Sequence, residues 1–147
     1  MTTIVTDGKS IAFDSLYQVN GRRMYMREEP KVVICNGQTY GFAGDNSLFM
    51  PMIEWCEAGA KPADYPKIGE ARFTLIVPKA KQALLYTSES PYVSTHPYPC
   101  AVGTGADIAY GALAAGTSVL GACRIAADID LGSGKPVKSE IVMIRKN

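Results

Sequence analysis

A chain of 147 residues, 47% of them hydrophobic and 20% charged, has the length and composition of one folded domain, which excludes a disordered or fibrous protein. Fifteen Lys and Arg residues against fourteen Asp and Glu residues give a formal charge of +1, without the concentrated positive charge of proteins that bind nucleic acids. We therefore expect a single domain over residues 1–147 and no nucleic-acid partner.

Three pairs of β-rich segments predict three hairpins. The pairs are residues 3–6 with 10–13, 31–35 with 38–42, and 72–77 with 82–87. Asp7-Gly8 and Asn36-Gly37 separate the strands of the first two pairs, and such dipeptides favour the positive φ of tight hairpin turns. Between these hairpins, residues 16–30 are polar and form either a loop or an irregular extra hairpin around Asn20-Gly21.

Helical spacing and capping residues predict three helices, over residues 47–58, 106–115 and 118–130. Asp45, Asn46 or Ser47 caps the first helix, and Ser118 caps the third. In the third helix, apolar residues recur on one face and predict a buried stripe of Val119, Ala122, Cys123, Ala126 and Ile129.

Prolines mark the connections between these elements. Residues 60–67 read as a linker, residues 88–99 as a surface loop, and residues 137–144 as a final strand. Strands, one helix, strands, two helices and a strand follow one another without regular βαβ alternation. This order predicts an α+β fold with antiparallel sheets and helices on their faces.

The most apolar stretch, residues 112–127, is too short for a membrane span and contains Gly116, Gly121 and Arg124. The first residues contain neither a basic region nor the long apolar region of a secretory signal. We expect no membrane association and a cytoplasmic location.

Cysteine and histidine spacing gives no support for a metal site or a cofactor. The four cysteines are far apart, and His96 is the only histidine, so we expect reduced thiols, no metal and no cofactor. His96 and Cys100 are four residues apart and could form a thiol nucleophile and its base. The prolines around them favour packing in a surface loop instead.

The N-terminus offers a different nucleophile. The sequence contains no nucleophile elbow, phosphate-binding loop or dinucleotide fingerprint. Removal of Met1 before the small Thr2 would leave a free α-amine beside a hydroxyl group. An α-amine has a pKa of about 8, so at cytosolic pH it is partly neutral and can act as the base for that hydroxyl.

A series of short motifs resembles, in order, the proteasome β-subunit/HslV family of peptidases. The motifs are Thr2-Thr3-Ile4-Val5, Asp14, Lys31-Val32, Gly41-Phe42-Ala43-Gly44-Asp45, Gly103-Thr104-Gly105 and Asp130-Leu131-Gly132-Ser133-Gly134. Each has an ordinary structural interpretation by itself, as a turn acid, a solvated lysine or a helix cap, but six matches in order favour the family. The resemblance is closest to short HslV-like proteins of bacteriophages and prophages. It implies an N-terminal-nucleophile (Ntn) hydrolase with a four-layer αββα fold.

The resemblance implies roles for the first four site residues. Thr2 is the nucleophile, and Lys31 is the cation that lowers the pKa of its amine or hydroxyl. Asp14 orients Lys31. The backbone N–H of Gly44 occupies the oxyanion-hole position.

The resemblance also assigns Thr104, Asp130 and Ser133 to hydrogen bonds with the N-terminal amine. Serine is the commoner residue at the first of these positions, and threonine keeps the hydroxyl group. Residues 60–67 stand where the family has a second helix, so we expect a fold trimmed by one helix. A chain that retained Met1 should be inactive.

The function that follows is a threonine-type peptidase that cleaves amide bonds of a peptide or protein substrate through an acyl-enzyme on Thr2. The alternative is a non-catalytic subunit that keeps the fold for assembly or for binding another protein. Family members close rings, so we expect a ring-like homo-oligomer, with the number of subunits and any ATPase partner left open. Tyr17, Met24, Tyr25 and Met26 are candidates for the subunit boundary.

Overall fold

The computed structural model describes residues 2–19, 22–28 and 31–145, and only the backbone of residues 17–19 and 22–28. Within these ranges the strands are β1 (Ile4–Thr6), β2 (Ser10–Phe13), β3 (Leu16–Val19), β4 (Arg22–Glu28), β5 (Val32–Cys35), β6 (Gln38–Gly44), β7 (Phe73–Pro78), β8 (Ala83–Thr87), β9 (Ser90–His96), β10 (Cys100–Val102) and β11 (Lys138–Ile141). The α-helices are α1 (Phe49–Glu57), α2 (Ala106–Ala114) and α3 (Val119–Ile129).

Two antiparallel sheets form the centre of the fold. The first sheet has the strand order β10-β1-β2-β11, and the second is the meander β5-β6-β7-β8-β9. Strands β3 and β4 form a separate two-stranded sheet. The antiparallel α+β prediction is therefore confirmed.

Alternation along the strands builds three layers of core. In β1, Ile4 packs between the two sheets while Val5 packs against α2 and α3. In β6, Ala43 faces the first sheet while Phe42 packs with α1. Side chains at odd and even positions of a strand point to opposite faces, so both sheets are covered on both sides. The order helices, sheet, sheet, helix is the expected αββα arrangement.

The three predicted hairpins are confirmed by the pairs β1–β2, β5–β6 and β7–β8. The segment between the first two is the extra hairpin and not the loop, because β3 and β4 pair antiparallel. The turn predicted around Asn20-Gly21 lies outside the described residues.

The predicted cap of the third helix is confirmed, whereas the first helix has no side-chain cap of its own and Asp45 caps the 3-10 turn before it. The Asp45 carboxylate accepts the N–H of Ser47 at 3.0 Å and caps a 3-10 turn, Asn46–Leu48, that leads into α1. The hydroxyl of Ser118 accepts the N–H of Gly121 at 3.0 Å at the start of α3. Between α1 and β7 the chain forms only a 3-10 turn at Pro62–Asp64, which agrees with the predicted loss of one helix.

The prediction of a surface loop over residues 88–99 is wrong, because Ser90–His96 form β9 beside β8. Pro91 has no N–H to donate, but β9 lies at the sheet edge, where the outer N–H groups need no partner strand. Tyr92, Val93 and Thr95 are residue types that favour strands.

Two further corrections concern α3 and the last strand. Ile129 was expected in the buried stripe but is 62% exposed, and Ala127 is buried instead. Ile129 lies at one margin of the apolar face of α3 and Ala127 at the opposite margin. The buried face is centred nearer to Ala127, so Ala127 is buried and Ile129 is exposed. Strand β11 covers only the middle of the predicted residues 137–144. Among the described residues, no helix combines the length and apolar character that crossing a bilayer requires.

Candidate active site

Lys31 and Asp14 form a buried ion pair between the start of β5 and the end of β2. Lys31 Nζ lies 2.8 Å from Asp14 Oδ1, and the two side chains are 1% and 0% exposed. The same Oδ1 accepts the N–H of Thr3 at 2.9 Å, while Oδ2 accepts those of Leu16 at 3.2 Å and Gly134 at 2.9 Å. Buried charges are stable only when paired and hydrogen-bonded, and Asp14 meets both conditions. One carboxylate thus joins three distant segments of the chain.

Asp130 is the centre of a second group of hydrogen bonds. Its Oδ2 accepts the hydroxyl protons of Thr104 and Ser133, both at 2.6 Å. Burial raises the pKa of Asp130, but the hydrogen bonds from Ser133 and Thr104 outweigh it, so the pKa is lowered from its ordinary value. The Asp130 carboxylate is therefore ionised at neutral pH.

Thr2 lies beside this second group. It is 2% exposed, and its backbone nitrogen donates to Thr104 Oγ1 at 3.4 Å. The carbonyl of Thr2 accepts the N–H of Gly105 at 3.3 Å. Gly103 has φ 97°, and a Cβ there would overlap the Thr2 carbonyl, so only glycine lets this turn approach Thr2.

The N–H of Gly44 points toward the Lys31 side of β6. Asp45 donates its N–H to the carbonyl of Arg72 at 3.1 Å, and bonded and non-bonded pairs alternate along antiparallel strands. The N–H of Gly44 therefore points away from β7, to the edge where Phe42 donates to the carbonyl of Lys31 at 2.9 Å. Gly44 has φ 136°, and a Cβ there would overlap the Arg72 carbonyl, so a side chain does not fit.

A cleft of about 430 Å³ adjoins Gly44 and Thr104. Its lining contains four hydroxyl groups and two charged side chains: Thr74, Thr87, Ser88, Thr104, Arg72 and Glu89. Ala43, Gly44, Phe73 and Gly103 complete it. A cleft with backbone and hydroxyl groups on its walls suits an extended chain with amide groups to pair.

The structure brings the seven predicted residues into two adjacent groups and a cleft. Thr2, Thr104, Asp130 and Ser133 form one group, Asp14 and Lys31 form the other, and Gly44 lines the cleft with Thr104.

The alternative pair His96 and Cys100 is not supported. His96 Nε2 lies 3.2 Å from Ser94 Oγ, and Cys100 is fully buried in β10. Burial raises the pKa of the Cys100 thiol, whereas a nucleophilic cysteine needs a lowered pKa. All four cysteines are free thiols, two buried and two half-buried.

Thr3 is the site residue that the sequence analysis missed. Its hydroxyl lies 2.7 Å from Ser133 Oγ, and its N–H reaches Asp14, so it touches both groups. A signal was present in the sequence, because Thr3 precedes the apolar pair Ile4-Val5 in a strand with both faces covered. A polar residue buried in such a strand requires a hydrogen-bond partner.

No protein-family model and no curated protein sequence matches the chain. Solved structures match it over nearly its whole length. Eukaryotic HslV from Trypanosoma brucei has a TM-score of 0.69 at 20% identity, covering 97% of this chain and 98% of that one. BPH of Thiobacillus denitrificans has a TM-score of 0.67 at 17% identity, and its complex with epoxomicin 0.68 at 16%, each covering 99% of both chains. At these identities the likeness establishes the fold, which is that of HslV.

Proposed function

We propose that the chain belongs to the HslV/proteasome family of Ntn hydrolases and acts as a threonine peptidase through Thr2. The observation that carries the proposal is the position of Thr2: its nitrogen bonds Thr104, and the next peptide N–H bonds the carboxylate that holds Lys31. Thr104 thus contacts the nitrogen of Thr2, and the Lys31–Asp14 pair contacts the peptide bond that follows Thr2. The αββα fold supports the proposal independently.

The nucleophile requires removal of Met1. The α-amine of Thr2, when neutral, accepts the proton of Thr2 Oγ1, and the oxygen attacks the carbonyl carbon of the scissile amide. The Lys31 ammonium stabilises the negative charge that develops on that oxygen, because a cation stabilises a nearby anion. Asp14 holds the ammonium in place and carries the compensating charge.

The tetrahedral intermediate places a negative charge on the former carbonyl oxygen. The Gly44 N–H, on the Lys31 side of β6, is the proposed donor to it. The protonated amine then gives its proton to the leaving nitrogen, and the C–N bond breaks to leave an ester on Thr2. Water attacks this ester with the amine again as base, which releases the acid product and restores Thr2.

The proposed substrate is a peptide or an unfolded protein segment bound in the cleft beside Gly44 and Thr104. An extended segment can pair its amides with the strand edges and hydroxyl groups there. The Ala-Gly-Asp turn before α1 and the alanine-rich α2 support a place among the short phage-type members of the family.

The first prediction concerns processing and the nucleophile. We expect the intact mass of the purified protein to show loss of Met1, and Thr2→Ala to abolish peptide hydrolysis because the attacking oxygen is gone. Thr2→Ser, which keeps a hydroxyl, should retain measurable hydrolysis. Thr95→Ala, at an exposed position of β9, is the matched control and should hydrolyse at the wild-type rate.

Epoxomicin, which the Thiobacillus denitrificans protein holds, provides a probe that needs no known substrate. Incubation should add one epoxomicin mass per wild-type chain and none per Thr2→Ala chain. Full retention of Met1, or equal hydrolysis by Thr2→Ala, would overturn the peptidase proposal. A chain that loses Met1 but neither hydrolyses peptides nor reacts would support the non-catalytic alternative.

A further inference from the structure

The backbone N–H and the backbone carbonyl of Thr3 both form hydrogen bonds with Asp14. Its N–H donates to Asp14 Oδ1 at 2.9 Å, and its carbonyl accepts the N–H of Asp14 at 3.2 Å. The carbonyl also accepts the thiol of Cys123 at 3.6 Å. Thr3 is 0% exposed, so these bonds have no competition from water.

The hydroxyl of Thr3 bonds the Asp130 group, and its direction follows from counting protons. Ser133 has one hydroxyl proton, which it donates to Asp130 Oδ2 at 2.6 Å. In the 2.7 Å contact between the two hydroxyls, Thr3 Oγ1 is therefore the donor and Ser133 Oγ the acceptor. Thr104 likewise donates its proton to Asp130, so its oxygen accepts from the nitrogen of Thr2.

We propose that Thr3 is a positioning residue of this site, a role that rests on the proposed function. Thr3 contacts the Lys31–Asp14 pair through its N–H and the Asp130 group through its hydroxyl, so this single residue connects the two. Thr2 is attached to it by a peptide bond, so Thr3 holds the nucleophile at a set distance from both groups.

Thr3 acts through other residues and touches no reacting atom. It does not line the cleft, so its loss should leave substrate binding nearly unchanged. Without its hydroxyl, Ser133 Oγ loses a donor in a buried position, and Thr104, which shares Asp130 with Ser133, is held less firmly against the Thr2 nitrogen. Misplaced catalytic groups reduce the rate of the chemical step more than they reduce binding.

The test compares Thr3→Val, which has nearly the same shape without the hydroxyl, with Thr3→Ser, which keeps it. We expect Thr3→Val to lower kcat roughly tenfold or more, with KM changed less than about twofold. Thr3→Ser should recover most of the wild-type kcat. If Thr3→Val fails to fold, Thr3→Ala and Thr3→Ser form the same comparison, since they differ by the hydroxyl alone.

Thr6→Val is the matched control in the same strand. Thr6 is also 0% exposed, and its hydroxyl donates to the carbonyl of Ser10 at 2.7 Å, away from the site. It should lose thermal stability as Thr3→Val does but keep the wild-type kcat.

The outcomes separate the two proposals. An active wild type with an inactive Thr2→Ala, together with a wild-type kcat in Thr3→Val, overturns the role of Thr3 alone. Equal losses of kcat in Thr3→Val and Thr3→Ser overturn it too, because the hydroxyl would then not matter. A wild type that loses Met1 but does not hydrolyse peptides overturns the proposed function and the role of Thr3 with it.

Discussion

Nine polar or charged side chains are buried among the residues that the structure describes, and five of these lie in the candidate site. The five are Thr2, Thr3, Asp14, Lys31 and Ser133. A buried polar group lowers stability unless it is fully bonded, so a concentration of such groups in one place is typical of a functional site. Asp14 alone accepts hydrogen bonds from four donors.

Replacement of Lys31 should affect both catalysis and stability, so the variants have to distinguish the two effects. Lys31→Met should abolish hydrolysis and also lower the free energy of unfolding by about 3–5 kcal/mol, because it leaves the Asp14 carboxylate buried without its cation. In Lys31→Met with Asp14→Asn no charge is buried, so stability should recover in part while hydrolysis stays absent. Urea unfolding and peptide hydrolysis measure the two effects.

Lys79→Met is the control for this pair of variants. Lys79 is a partly buried lysine whose Nζ donates to Gln38 Oε1 at 2.8 Å, outside the site. It should hydrolyse peptides at the wild-type rate. A double variant of Lys31 and Asp14 that cleaves at the wild-type rate would show that Lys31 has no role in the chemistry.

At the scale of elements, the site is assembled where strands and helices end. Asp14 follows β2, Lys31 precedes β5, Thr104 follows β10 and Asp130 follows α3. The elements themselves are held by their apolar faces, and the polar residues beyond their ends are brought together as a result. A polar residue at the end of α1, away from the site, also connects distant parts of the chain.

Glu57 at the end of α1 binds the last described segment of the chain. Its carboxylate bonds Arg145 twice at 2.7 Å and accepts the hydroxyl of Tyr40 at 2.5 Å and the amide of Asn36 at 2.7 Å. The hydrogen bond from Arg145, followed by that from Tyr40, lowers the pKa of Glu57 from 4.5 to about 2. This carboxylate therefore connects the end of α1 with β6, with the turn at Asn36 and with Arg145.

The interactions of the Glu57 carboxylate should make the stability of the fold depend on pH. A carboxylate with a lowered pKa in the folded state stabilises the fold fully above its unfolded pKa and loses that contribution as it is protonated. The contribution of Glu57 is thus present above about pH 4.5 and lost as the pH falls toward 2. Glu57→Gln should be less stable than wild type at pH 7, and the difference should shrink over that window.

Thermal unfolding at several pH values measures this difference. Glu54→Gln, at an exposed position of the same helix, is the matched control and should follow the wild-type curve. A constant difference between Glu57→Gln and wild type from pH 7 to pH 2 would contradict the assignment.

At the scale of the whole molecule, we expect assembly to restrict access to Thr2, the nucleophile of the proposed function. The surface has apolar residues available for contacts, among them Ile129 and Leu131, which are 62% and 82% exposed. The side chains of Tyr17, Met24, Tyr25 and Met26, the candidates named from the sequence, lie outside the described part of the chain.

We expect the protein to form a homo-oligomer with the segment around Met24, Tyr25 and Met26 at the subunit boundary. Light scattering at micromolar concentration should give a multiple of the chain mass. Replacing all three residues by serine should lower that mass, because aromatic and methionine side chains favour such contacts. Tyr92→Ser, at an exposed apolar position elsewhere, is the control and should leave it unchanged. A stable wild-type monomer would contradict this prediction and favour the non-catalytic alternative.

Local chemistry in the sequence determined the hairpins and the helix caps, because a turn at Asn36-Gly37 or a cap at Ser118 depends on residues only a few positions apart. The order of the motifs was enough to name Thr2, Asp14, Lys31, Gly44, Thr104, Asp130 and Ser133 before their distances were known. Their roles stay predictions until the variants are measured.

Only the tertiary structure decided what depends on neighbours distant in the chain. Residues 90–96 became a strand because β8 lies beside them, and Ile129 stayed exposed because the apolar face of α3 is centred elsewhere. The hydrogen-bond partners of Thr3 could not be read from its neighbours in sequence, since Asp14 and Ser133 are 11 and 130 positions away. Hydrogen bonds of this range form only when packing of the apolar faces has set the positions of both partners.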